Sequence, residues 1–440
     1  MKPNIFFLVI DSLRSDRVFE NTSSITPNID KLRKDGTGFS QNISSADGTI
    51  LSLNTIFSGI FPCITGTREI KLSLDTSNYL TSLKTEGYSI NSVIPNLSSF
   101  NPLKQMSEKT YSFDGGPPAE TLFDGVGEKI LEFLSNSMKD PWFFYMHIFD
   151  LHWPLVVPEK FDKEEFGKDK YDRILSSIDS YIGKFIDKID LSKTIIILTS
   201  DHGCPLPFDG KDVTSFEPNL DLGLKTGKNI MPKFTHKFGA KFFNKTRNII
   251  KNQRLEIANK NLSEYQKRSR LPPFVQSLFD EVVKAPLLFS GYKIKSRNIQ
   301  QQTRSIDIFP TLFDLLNFNH SENIQGISFL PLLNNTSLDE YPCYIHTIPH
   351  EQLSDNDLVG VRTSNFKYFR HARNSSSNVH LYDLKSDPLE NQNISQKNSD
   401  KITEMEDILI NFLNFESTTE IVSDDEEAKI REELKKLGYL

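Results

Sequence analysis

Two short apolar runs govern what this chain can fold into. Asn4 to Ile10 leads directly into Asp11, and Thr194 to Thr199 leads into Ser200-Asp201-His202-Gly203. Runs this short and uniformly apolar read as strands covered on both faces, which is the habit of parallel sheets. In an open parallel sheet, ligands bind beyond the carboxyl ends of the strands. Residues far apart in sequence can then converge on one ion, so function is expected at that sheet edge.

The same alternation continues along the 440 residues. Helical patterns follow near Asn28 to Lys34, after Thr49 and near Asn78 to Glu86. Phe143 to Ile148 reads as a strand, Ile174 to Ile189 as an amphipathic helix, Pro286 to Phe289 as a strand and Ser305 to Leu316 as a helix. This predicts an α/β core with a mostly parallel sheet between helical layers. From about Tyr341 short strands near Tyr344, Val359, Tyr368 and Leu381, with a helix near Lys401 to Phe412, predict a small antiparallel α+β subdomain. The expected division is a catalytic domain over 1–335 with a basic insertion at 205–275, a subdomain over 336–415 and a helical tail over 416–440.

Composition narrows the class. With 37% hydrophobic and 25% charged residues the chain is an ordinary globular protein, and no window is apolar over the length needed to span a bilayer. Ile5 to Ile10 lacks a cleavage-site pattern and reads as a strand rather than a signal peptide. Cys63, Cys204 and Cys343 match neither a disulfide framework nor zinc-ligand spacing, which points to a reducing cytoplasm. A net charge of -7 argues against a nucleic-acid binder. Yet Lys225 to Arg270 holds thirteen Lys and Arg against Glu256 and Glu264.

Within Asp47-Gly48-Thr49-Ile50-Leu51-Ser52, Thr49 precedes an apolar helical pattern and reads as a helix N-cap. A hydroxyl there suits an alkoxide nucleophile, because the positive helix end and a nearby cation both stabilise negative charge. A plain capping threonine fits the same residues.

The order of segments resembles the sulfatase family of the alkaline phosphatase superfamily, from Ile5 to about Asn391. It includes Asp11-Ser12-Leu13-Arg14-Ser15-Asp16, Thr26-Pro27-Asn28-Ile29-Asp30, Thr49 through Ser58-Gly59-Ile60-Phe61-Pro62, and Leu151-His152-Trp153-Pro154. Phe279-Asp280-Glu281, Ile306-Asp307-Ile308-Phe309-Pro310-Thr311 and Leu381-Tyr382-Asp383-Leu384 follow in the family's order. The resemblance implies an alkaline phosphatase-like core. It also implies that Asp11, Asp201 and His202 hold one divalent metal, with Thr49 as nucleophile and fourth ligand and His152 as general acid or anion contact.

Departures from the family bear on the reaction. Family sulfatases carry Cys or Ser at the nucleophile, oxidised to a formylglycine aldehyde, and Thr49 cannot become that aldehyde. A sulfated threonine would need slow attack of water at sulfur, whereas a phosphothreonine is resolved by in-line attack at phosphorus. Thr49 therefore favours phosphate esters, phosphodiesters or phosphonates, with a sulfuric ester hydrolase as the alternative and a non-catalytic polyanion binder as a third reading. Leu53 stands where the family's Cys-x-Pro-Ser-Arg arginine would be, leaving Arg14 and Asn54 as candidate substrate contacts, though a surface ion pair fits Arg14 equally and an outward-facing helix position fits Asn54 better. Ser12 replaces the second Asp of the usual pair, so manganese or zinc is favoured over calcium or magnesium. His147, Asp150 and His152 are right for a second metal in type but not in spacing, and one metal is expected.

The basic stretch 225–270 repeats Phe234, Phe238 and Phe242 beside Lys233, Lys237, Lys241 and Lys245, the pattern of an amphipathic helix interrupted at Gly239. Two readings stay open. It contacts an anionic membrane surface or a glycan- or lipid-linked anionic ester, making the protein membrane-peripheral, or it packs its Phe stripe on the protein itself.

Overall fold

The computed structural model describes residues 2–20, 22–65, 71–74, 78–136, 138–217, 236–272, 275–319, 324–347, 355–414, 428–429 and 432–433, with the side chains of 236–246 set aside. Phe234 and most of the tail expected at 416–440 therefore lie outside the described residues. The chain forms two compact units, one of residues 1–204, 276–388 and 393–440, the other of 205–275 and 389–392.

The first unit is built on a nine-stranded sheet. Its strands are β1 (Asn4–Ile10), β2 (Thr37–Ile43), β3 (Ser89–Pro95), β4 (Lys109–Phe113), β5 (Trp142–Ile148), β6 (Thr194–Thr199), β7 (Lys284–Gly291), β8 (Arg297–Ile299) and β9 (Thr303–Arg304). The order is β4-β3-β5-β1-β6-β7-β2-β8, with β9 beside β2. Every residue of β1, β5 and β6 is buried, as expected of central strands covered on both faces.

The mostly parallel sheet expected from sequence is present. β7 is the exception, running antiparallel between β6 and β2. As a result β1, β5, β6 and β2 all end at the edge where β7 begins. On one face Phe7, Tyr145, Phe57 and Phe309 pack ring to ring, which seats the helix Thr49–Ser58 over β1 and β5. The opposite face carries Phe6, Phe144 and Phe133.

A second sheet, antiparallel throughout, contains β10 (Cys343–His346), β11 (Leu358–Arg362), β12 (Phe366–His371) and β13 (His380–Asp383), and the helix Ser399–Leu413 packs on it. Two features tie it to the first sheet. His346 bridges Ala46, just ahead of the Thr49 helix. The Asp280 carboxylate, at the entry to β7, pairs with Arg362 at 2.7 Å and Lys367 at 2.5 Å.

Candidate metal centre and nucleophile

Parity places the site. Val9 is in register with His147 on β5 and with Thr199 on β6, so His147 shares a sheet face with Asp11 and Asp201, each two residues beyond its register partner. All three side chains are fully buried. The His147 Nε2 atom lies 3.5 Å from Asp11 Oδ2 and 3.9 Å from Asp201 Oδ2. His202 Nε2 lies 3.6 Å from Asp201 Oδ2.

These groups fit a divalent cation. His147 Nε2 and Asp201 Oδ2 are buried without a hydrogen-bond partner among the described residues, a costly state unless something else satisfies them. His147 Nδ1 shares a hydrogen bond with the Tyr145 hydroxyl at 2.9 Å. Donation from Nδ1–H to that oxygen leaves a lone pair on Nε2, which a metal ligand needs. His202 Nδ1 sits 2.7 Å from the Gly203 carbonyl, which orients the second imidazole in the same way.

Ser12 holds the two carboxylates in line. Its hydroxyl donates to Asp11 Oδ1 at 2.7 Å and its amide to Asp201 Oδ1 at 3.2 Å. It does so from φ 58°, a left-handed conformation uncommon for a residue with a Cβ. Burial raises the Asp11 pKa, but the neighbouring imidazoles of His147, His152 and His202 outweigh it and hold the carboxyl far below its ordinary range. Burial alone would lower the His202 pKa, yet Asp201 and Asp11 lift it to about 9.

Thr49 stands over this cluster. Its hydroxyl donates to Asp11 Oδ2 at 3.2 Å and lies 3.4 Å from His202 Nε2. The helix N-cap is Gly48 rather than Thr49, in an extended conformation, so Thr49 is the first helical residue and its hydroxyl is spent on the cluster instead of capping the helix.

The other expected residues fare differently. His152 is buried with its ring stacked on Phe149 at 5.0 Å, and it acts on Asp11 through its field. Arg14 forms a bidentate pair with Asp16 at 2.8 Å and donates to the Cys204 carbonyl. Asn54 accepts from the Ser73 amide at 2.7 Å and donates to the Lys71 carbonyl. Both candidate substrate contacts are thus engaged by the protein itself.

Sequence spacing does not point to His147, nor to a second buried histidine, His346. The spacing of His147 from Asp150 and His152 is wrong for a second metal, whereas the sheet register brings it beside Asp11 and Asp201. His346, whose amide donates to Ser45 O at 3.0 Å, keeps Nε2 buried without a partner among the described residues. Burial lowers its pKa to about 4, so the imidazole is neutral.

The Sulfatase family model matches residues 3–318. The chain belongs to the sulfatase family. Its place is in the alkaline phosphatase superfamily, and residues 275–414 match a second family described as N-sulphoglucosamine sulphohydrolase, C-terminal. Arylsulfatase K of Mus musculus is 30% identical to this sulfatase-family chain over 129 residues, which are 28% of the chain and 23% of that protein. The match therefore spans less than a quarter of the curated relative. Among solved structures, the phosphonate monoester hydrolase of Agrobacterium radiobacter superposes with TM-score 0.66 at 14% identity, covering 93% of this chain and 95% of that one. A protein solved with its substrate D-glucosamine-2-N,6-O-disulfate gives 0.64 at 16% identity, covering 98% and 99%. At such identities the likeness is one of fold.

Proposed function

We propose that this sulfatase-family protein is a divalent-metal-dependent hydrolase or transferase that acts on a phosphate ester, phosphodiester or phosphonate through a covalent intermediate on Thr49. The observation that carries it is the Thr49 hydroxyl at the start of its helix, 3.2 Å from Asp11 and 3.4 Å from His202. Asp11, Asp201, His147 and His202 would hold the ion, with Thr49 as a further ligand. A divalent cation bound there supplies Lewis acidity and stabilises an alkoxide at neutral pH. The two imidazole nitrogens beside two carboxylates suit zinc or manganese better than calcium.

The chain's own residues divide the remaining work. Thr49 Oγ, having given up its proton, would form the bond to phosphorus as the ester oxygen leaves, and His152 would act as the general acid that gives that oxygen a proton. Water or a second hydroxyl then attacks phosphorus and restores Thr49, giving hydrolysis or transfer. Ser12 orients both carboxylates throughout, and Tyr145 fixes the His147 ring. The anionic ester would be glycan- or lipid-linked, in keeping with the anionic glycan substrate of one structural neighbour.

A sulfuric ester hydrolase is the second reading, favoured by the arylsulfatase match. The two are separated by assaying aryl phosphate, phosphodiester, phosphonate and sulfate with zinc, manganese, magnesium and calcium, using wild type and Thr49→Ala. We expect phosphorus esters to be cleaved fastest and Thr49→Ala to lose about a thousandfold or more. A clear preference for aryl sulfate would overturn the proposal. If metal binding were lost while Thr49→Ala kept its biological function, a polyanion binder would be the better reading.

A further inference from the structure

None of the residues assigned above belongs to the second unit, 205–275 with 389–392, which is about a sixth of the chain. It nevertheless carries six of the twelve exposed large hydrophobic side chains among the described residues: Phe208, Ile249, Ile257, Leu271, Val275 and Leu389. Scattered exposed apolar residues are ordinary, but a concentration of them in one unit marks a contact surface.

The long helix His236–Asn259 shows how that surface is organised. On one side Arg247 and Lys251 pair with Glu217, holding the helix to its own unit. On the other side Ile249 is 49% and Ile257 76% exposed, with Gln253 also exposed between them. The helix contains Lys237, Lys241, Lys245, Arg247, Lys251 and Arg254 against Glu256 alone, in a chain whose overall charge is -7. Outward isoleucines on a strongly basic helix are what binding flat in a membrane interface requires, and no described helix is long and apolar enough to cross one.

We infer that the second unit docks the protein on an anionic lipid surface, with this helix in the interface and its isoleucines among the acyl chains. A free polyanionic glycan would use the cations but not the isoleucines. A second copy of the chain would bring the same positive charge against it. The inference does not depend on the chemistry of Thr49.

The test is co-sedimentation of the full chain with vesicles of phosphatidylcholine alone or with about a third phosphatidylglycerol. Binding should appear only with the anionic lipid and weaken with salt. Ile249→Asp combined with Ile257→Asp, and separately Arg254→Glu, should lower partitioning about tenfold while turnover of a small soluble ester is unchanged. Because Ile257 is the more exposed, Ile257→Ser alone is the milder variant if the double one folds poorly. Absence of binding to anionic vesicles, or full binding by a folded isoleucine variant, would overturn the inference. So would capture by a sulfated polysaccharide without capture by lipid.

Discussion

At the scale of single residues, the candidate site is two carboxylates, two imidazoles and one hydroxyl, with the carboxylates aligned by one strained serine. His147 is the residue whose role is most open to test. Replacing it with Ala should weaken zinc or manganese binding by about tenfold to a hundredfold, measured by isothermal titration, with the fold intact. His202 gives a pH signature. In the metal-free protein it keeps its proton up to about pH 9, so the entering cation must displace that proton. Affinity should therefore rise with pH below that value, and titrations near pH 7.5 in buffers of different ionisation enthalpy should show about one proton released. No proton release would mean that His202 is not a ligand. Asp11, Thr49, Asp201 and His202 were legible in the sequence because each sits at a strand end or helix start. His147 was not, because its contribution depends on which strands are neighbours and in what register.

At the scale of elements, most strands were legible as apolar runs, but direction was not. Nothing in Pro286 to Phe289 says that β7 runs against its neighbours. β3 escaped for another reason: Ser89, Asn91 and Ser92 interrupt its apolar pattern, although every residue in it is buried. Those polar groups are satisfied laterally, as Ser92 bonds Ser107 and Thr110 at 2.9 Å. The join between the sheets rests on a buried carboxylate. Burial raises the Asp280 pKa, but Arg362 and Lys367 overcome it and keep the group ionised. Asp280→Asn removes the carboxylate both cations share and should cost about 3–5 kcal/mol in urea unfolding. A cost below about 1 kcal/mol would show the join to be incidental.

For the molecule as a whole, stability should answer to both the ion and the solvent. A cation that binds only the folded chain adds about 2.7 kcal/mol at a hundred times its Kd, so chelation should lower Tm by a few degrees. Asp150, buried beside β5, has its pKa raised to about 7 by burial, against the lowering effect of the Leu122 amide. Its folded pKa exceeds the unfolded one, so its contribution is complete below about pH 4 and is lost as pH rises through about 7. Asp150→Asn should therefore show a smaller fall in Tm between pH 5 and 8 than wild type. An unchanged slope would exclude that carboxyl as the source.

The antiparallel setting of β7 has a further consequence. β6 ends at the edge where β7 begins, and the Gly203 amide already donates to the Val282 carbonyl at 2.6 Å. A side chain could not take the place of Gly203, since a Cβ would meet the Glu281 carbonyl oxygen at 2.4 Å. The two segments that flank 205–275 are thus clasped together at Gly203 and Val282. Whatever is spliced between Cys204 and Gln276 need not rethread the sheet, so that gap works as a socket.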